Sequence, residues 1–477
     1  MRPDTHLPAK ASPQFAARVA AERYGLEATA SILPGEYDDN FRLTLTSGES
    51  FVLKIMHPSR EQTLLDLQVH ALQHLGASAP SLQLPRIHLS RAGKTVETLR
   101  DENGATRYVW MLTYIAGRPL AETTPRAPEL LDGLGQFLGR MDQALADFSH
   151  PSARRELKWD SSRAGWIREY LHHIAEPRRR LVERFMALYE SQVLPVLPSL
   201  PHGVIHGDAN DCNVLTCAPR AQAPQVVSVI DFGDMHWGAT ISELAIATAY
   251  ALLEQSDPLA VATQMASGYH RARPLTEREI EVLFPLIATR LCVSVVNSAH
   301  RQTLAPDDPY VTITERPAWA ALEKLATIPP RLAHYALRGA CGLPPVPQER
   351  HIMQWLETNS GSLAPVVPGL DNARVFDLSV GSLWTGADPQ ALETRNLGSR
   401  IFRELDDAGA SVGIGRYDEA RMLYAVPRFA DSTNPTNERR TVHLGIDLFA
   451  QAGTVVSAPL AGRVRSEEHT SELQSPI

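Results

Sequence analysis

HGDANDCNVL at residues 206–215 and VVSVIDFGD at residues 226–234 decide how this chain is read. Asp208 and Asn213 stand five apart in a polar loop that runs into a short apolar strand, and Asp231 closes the next strand just before Phe232 and Gly233. Phosphoryl transfer calls for such groups: a carboxylate near the attacking hydroxyl, with an amide oxygen and a second carboxylate on a Mg²⁺ that bridges nucleotide phosphates. Oxygen donors suit a hard cation, and an amide in place of a third acid keeps the site from becoming too negative for ATP. Asp, Asn and Gly also make ordinary turns, so either motif alone reads as well as a turn. Together, in order and each at a strand end, they point to a kinase-type site.

Working outward, residues 31–56 alternate short β-type runs with turn signals, and in FVLKIM (51–56) the alternation places Val52, Lys54 and Met56 on one face of a strand. Lys54 can then reach phosphate oxygens while Val52 roofs an adenine ring. A solvent-facing lysine on an edge strand is the plainer alternative. The next helix repeats Leu65, Val69, Leu72 and Leu75, and turns Gln68 inward with Leu64 and Leu72. Asp66 lies about 200° away around that helix, so a neutral amide, Gln68, is expected to hold Lys54. The loop LPGEYDDNF (33–41) has one glycine and offers less backbone cradling of phosphate than a glycine-rich loop. Residues 127–197 and 241–338 are helical in pattern, so a strand-rich part precedes a helix-rich part.

HGDANDCNVL with IDFGD resembles the aminoglycoside phosphotransferase and choline kinase superfamily, where His-Gly-Asp replaces the His-Arg-Asp of protein kinases. EYDDNF (36–41), RELKWD (155–160) and ISELAIATAY (241–250) are most similar to its hydroxylysine kinase branch. The resemblance covers residues 13–345 and implies an α+β, two-lobed protein-kinase-like fold, with a small β-rich N-lobe and a helical C-lobe. It implies ATP and Mg²⁺ as cofactors, Asp208 as catalytic base, Asn213 and Asp231 as Mg²⁺ ligands and Lys54 as the phosphate-binding lysine. The acceptor it implies is a hydroxyl of a small amino acid or amino alcohol, hydroxylysine-, choline- or homoserine-like. Asp234 and Glu243 are candidates for meeting that acceptor's cation. His206 is expected to brace the loop, since Asp208 already fills the role of base. Cys212 and Cys217 have no second Cys/His pair at metal-binding spacing and read as structural thiols.

After Cys341 the composition turns Pro/Ser/Gly-rich, and a linker is expected over 346–372. RTVHLGIDLFAQAGTVVSAPLAGRV (440–464) resembles the opening of the lysostaphin-type zinc endopeptidase fold, whose first two metal ligands match His443 and Asp447. A partial all-β module over 373–464 is therefore expected. Two ligands make a weak Zn²⁺ site, because a working one takes at least three. A zinc metallopeptidase, or a non-catalytic nucleotide-binding module of a larger fusion, is the alternative function. Residues 465–477 (RSEEHTSELQSPI) resemble translated sequencing adapter and are set aside, which implies a truncated gene whose longer form would add a class III aminotransferase.

Composition narrows the partners. Lys+Arg 46 against Asp+Glu 54 gives a net charge of −8, which disfavours nucleic acid. The longest apolar stretch, 241–253, is interrupted by Ser242 and Glu243 and falls short of the ~20 residues of a membrane span. Four scattered cysteines and a start without a signal-peptide core point to the cytoplasm.

Overall fold

In a computed structural model, described here over residues 10–35, 37–217, 224–304, 315–385, 392–421 and 442–462, the chain divides into two units, Met1–Pro347 and Gln348–Ile477. The first unit opens with α1 (Pro13–Val19), capped by the Ser12 hydroxyl, which accepts from the Phe15 N–H at 3.1 Å. Strands β1 (Ala28–Leu33), β2 (Asp39–Leu45) and β3 (Ser50–Ile55) follow as an antiparallel meander. Helix α2 (Gln62–Ser78) then leads to β4 (Ile87–His88), β5 (Glu97–Arg100) and β6 (Thr106–Thr113), giving a sheet of order β1-β2-β3-β6-β4 with β5 on β6.

Strand alternation sorts this sheet into two faces. Phe41, Leu43, Leu53 and Met111 pack with Phe15 and Val19 of α1. Val52, Trp110 and Leu112 join the larger core with Leu65 and Leu72 of α2. Lys54, opposite Trp110 in the ladder, comes out on the Val52 face. Arg107 of β6 is buried between Asp39 at 2.8 Å and Asp101 at 3.2 Å, and also donates to the Ile55 carbonyl at 3.1 Å. That bond fixes the strand end one residue past Lys54.

The helical part begins after β7 (Arg118–Pro119) with α3 (Pro128–Ala144) and continues through α4 (Glu176–Leu188). Two short antiparallel ladders carry the motifs, β8 (His202–Ile205) with β11 (His236–Ala239) and β9 (Val214–Cys217) with β10 (Gln225–Val229). Helices α5 (Ile241–Ala251), α6 (Pro258–Ala272), α7 (Glu277–Leu304), α8 (Glu315–Ala326) and α9 (Pro330–Ala340) complete the unit. The apolar run from 241 is α5, buried on every side. Helices α3 and α6 meet at backbone contact: a Cβ at Gly135 or Gly268 would collide with the facing main chain.

The second unit departs from the sequence expectation in two places. Inside the expected 346–372 linker lies helix α10 (Glu349–Asn359), because the Pro, Ser and Gly residues flank ERHIMQWLETN without entering it. In the expected all-β module, β12 (Arg374–Phe376) pairs parallel with β13 (Val412–Gly415), and α11 (Thr394–Ala408) crosses between them. Leu397, Ile401 and Leu405 of α11 recur every four residues and pack on Phe376 and Leu378. The remaining strands are β14 (Glu419–Ala420), β15 (Val442–His443) and β16 (Asp447–Ala450). The 465–477 segment lies outside the described residues.

A chain ended at Pro347 is expected to fold by itself and to melt in one cooperative transition close to that of the full chain. Calorimetry on both would check this, and an insoluble or non-cooperative fragment would place the boundary elsewhere.

Candidate active site

The loop between β8 and β9 is built by its own backbone. Gly207 has φ of +78°, and a Cβ there would sit 2.7 Å from the His236 ring, so glycine is required on both counts. His206 is completely buried; its Nε2–H donates to the Ile230 carbonyl at 3.1 Å while Nδ1 accepts from the Asp208 N–H at 3.2 Å. That pattern needs the neutral ring, and burial pushes its pKa down to about 4. His206 therefore ties the 206–213 loop to the strand end that carries Asp231.

Asp208 is held at both oxygens. Oδ1 accepts from Arg290 Nη2 at 3.1 Å, and Oδ2 accepts from Asn210 Nδ2 and Asn213 Nδ2, each at 3.0 Å. Burial pushes its carboxyl up to about 7; Asp234 and Asp231 add to this, while Arg290 and Asn210 oppose it. A group near neutrality that stays 23% exposed can take up a proton from a ligand in the cleft. Asn213 also donates to the Asp208 carbonyl at 2.9 Å. With its nitrogen spent on Asp208, Asn213 has Oδ1 as its atom for a cation.

Asp231 adopts φ 64° and ψ 77°, the left-handed region that costs a non-glycine residue roughly 1–3 kcal/mol. The turn aims its half-exposed carboxylate at Lys54, whose Nζ donates to Oδ1 at 3.1 Å across 177 residues of sequence. The Lys54 charge holds the Asp231 carboxyl below the usual range. Phe232 anchors the turn by meeting the His206 ring edge-on at 4.7 Å. One cleft thus receives Lys54, Asp208, Asn213 and Asp231, a cation and three oxygen-bearing groups suited to a phosphate and a hard metal ion.

Two site residues, Gln68 and Glu243, behave otherwise than expected. Gln68 donates to the Leu64 carbonyl at 3.3 Å and makes no hydrogen bond to Lys54 among the described residues; its own helix satisfies it, and Asp231 grips the lysine instead. Glu243 is buried and accepts from the Gly207 N–H at 2.8 Å, so it buttresses the loop from behind and cannot meet a substrate cation. Asp234 has Arg155 at 3.8 Å as its partner.

Sequence reading missed the two arginines that assemble the site. Arg290 of α7, 1% exposed, bridges Asp208 and the Trp159 carbonyl, 3.1 Å from each, and stacks 4.7 Å from the Trp159 ring. Arg155 donates to the Gly233 carbonyl at 2.6 Å and the Met235 carbonyl at 3.0 Å. The signal for Arg290 was its place within FPLIATRLCVSVV (284–296), since a guanidinium in an apolar run must have a partner.

The proposed zinc pair is brought together but already engaged. His443 Nε2 lies 3.3 Å from Asp447 Oδ1, and Arg421 Nη1 lies 2.5 Å from Asp447 Oδ2. A guanidinium there takes the place of a metal's charge, and no cluster of three or more His, Cys, Asp or Glu able to hold a metal occurs among the described residues. Zinc is not supported.

A β-rich lobe presenting a lysine, joined to a helical lobe presenting Asp, Asn and Asp at strand ends, defines a protein-kinase-like phosphotransferase. Residues 29–275, just over half of the sequence, match the phosphotransferase enzyme family known as APH, and the chain belongs to it. It is a small-molecule kinase. Mouse (Mus musculus) hydroxylysine kinase is 29% identical over 316 residues, covering 61% of this chain and 83% of that protein. Among solved structures, amicoumacin kinase hAmiN in complex with AMP-PNP, Ca²⁺ and Ami has a TM-score of 0.50 at 17% identity, covering 66% of this chain and 94% of that one. A microcompartment-associated aminopropanol kinase also has a TM-score of 0.50, at 16% identity, covering 70% and 100%. No helix among the described residues is long and apolar enough to cross a membrane.

Proposed function

We propose that this kinase transfers the γ-phosphate of ATP to a hydroxyl of a small amino acid or amino alcohol. The observation that carries the reading is the meeting of Lys54, Asp208, Asn213 and Asp231 in one cleft. Mg²⁺-ATP supplies the phosphoryl group and the charge that neutralises it. Asn213 Oδ1 and the Asp231 carboxylate are the ligands for the ion, Lys54 is the contact for phosphate oxygens, and Val52 covers the base. Asp208, fixed by Arg290 and Asn210, accepts the proton of the attacking hydroxyl. Mouse hydroxylysine kinase and the aminopropanol kinase support an amine-bearing acceptor. Need of ATP, and the free exposed thiols of Cys212 and Cys217, fit a reducing cytoplasm.

ADP formation assayed against 5-hydroxylysine, choline, homoserine and ethanolamine tests the reading, and ADP formed with none of them would overturn it. In calorimetric titration, Asp231→Ala is expected to weaken Mg²⁺-ATP binding by ~10-fold or more, as loss of a charged contact does. Unchanged affinity with unchanged turnover would remove Asp231 from the site.

A further inference from the structure

Helix α7 is apolar and buried for most of its length, yet one stripe of it is polar. Arg290, Ser294, Asn297 and Arg301 recur at spacings of four, three and four, which gathers them within about 60° around the helix. Arg290 begins the stripe on Asp208. Asn297, two turns further on, is 6% exposed, and its Oδ1 has no hydrogen-bond donor among the described residues. A buried amide oxygen on the same face as the catalytic contact marks a place where a ligand brings the donor.

The 3₁₀ segment Ser161–His173 packs along this helix. Trp159 shares the Arg290 guanidinium with Asp208, and Lys158 precedes it in the chain. The Lys158 ammonium lies 4.5 Å from the Trp166 ring centroid and 6.0 Å from that of Tyr170. Arg301 is its charged neighbour, and beyond it lies His300, whose pKa burial lowers. No carboxylate stands within ion-pair distance of Lys158 among the described residues. An ammonium laid over two rings, with no carboxylate partner among the described residues, is open to an anion.

We infer that this stretch is the subsite for the head group of an α-amino acid acceptor, with Lys158 taking the carboxylate and Asn297 Oδ1 accepting from the ammonium. The inference rests on the kinase reading above and sharpens it: the acceptor is an amino acid, and its hydroxyl is directed to Asp208.

The test compares 5-hydroxylysine with 1,5-diaminopentan-2-ol, the same molecule without its carboxylate. The wild-type enzyme is expected to favour the amino acid. Lys158→Met, which keeps a long side chain over Trp166, is expected to raise KM for 5-hydroxylysine ~10- to 100-fold with kcat within about twofold, and to leave KM for the amino alcohol unchanged. Lys158→Arg retains most of the wild-type KM. Asn297→Ala raises KM for both acceptors, because both carry the amine. Lys158→Met acting equally on the two acceptors, or on neither, overturns the subsite, as does a wild type that prefers the amino alcohol; all of these leave the kinase reading standing. If no hydroxyl compound is phosphorylated at all, the kinase reading falls and the subsite with it.

Discussion

Asp208→Ala is expected to lower kcat by ~10²- to 10⁴-fold, the usual cost of losing a positioned base. Nucleotide affinity should change far less, because among the described residues Asp208 makes no hydrogen bond to the Lys54–Asp231 pair, and Asn213 keeps its bond to the residue 208 carbonyl. Single-turnover kinetics with saturating Mg²⁺-ATP, read beside a binding isotherm, separates the two effects. Turnover within a factor of a few of wild type would take Asp208 out of the mechanism.

The second large effect belongs to Arg290. Its guanidinium is buried and answers the carboxylate that the loop presents, so Arg290→Met leaves Asp208 without its charge partner. Breaking a fully buried pair costs roughly 3–5 kcal/mol; Asp208 is 23% exposed and keeps its two amide donors, so urea unfolding should show a smaller loss. The same substitution leaves the Asp208 carboxyl held at Oδ2 alone, and kcat is expected to fall ~10-fold or more as the base loses its aim. Combining Arg290→Met with Asp208→Asn removes both charges; stability should then recover in part while activity does not. A double variant no more stable than Arg290→Met alone would show that the arginine works through packing on Trp159 and Tyr250.

The positions of Lys54, Asp208, Asn213 and Asp231 were legible because each follows from a local rule. Alternation puts Lys54 on the Val52 face, and turn residues at strand ends place the others. Arg290 and Arg155 were not legible, since each meets its partners across 78 to 131 residues of chain and no local period marks that meeting. Gln68 shows the limit of facing arguments: helical phase turned it inward correctly, as its burial attests, but phase does not choose between a lysine and the Leu64 carbonyl one turn back. In the second unit the glycine turns drew attention to strands, and the four-residue recurrence of Leu397, Ile401 and Leu405 went unread. Charge misled as well. Glu243 was expected to meet the acceptor's cation, whereas it is buried and the Gly207 N–H gives it a partner inside.

Arg155 has a consequence for inhibitor chemistry. It grips two carbonyls on the C-terminal side of the turn that presents Asp231, at Gly233 and at Met235. A compound that works by swinging this turn out of the cleft would have to break two hydrogen bonds from a charged donor, about 1.5–3 kcal/mol each, or roughly two to four decades of affinity. Medicinal chemistry on this enzyme is therefore better directed at ligands that accept the turn where it lies, competing for the Lys54–Asp231 end of the cleft.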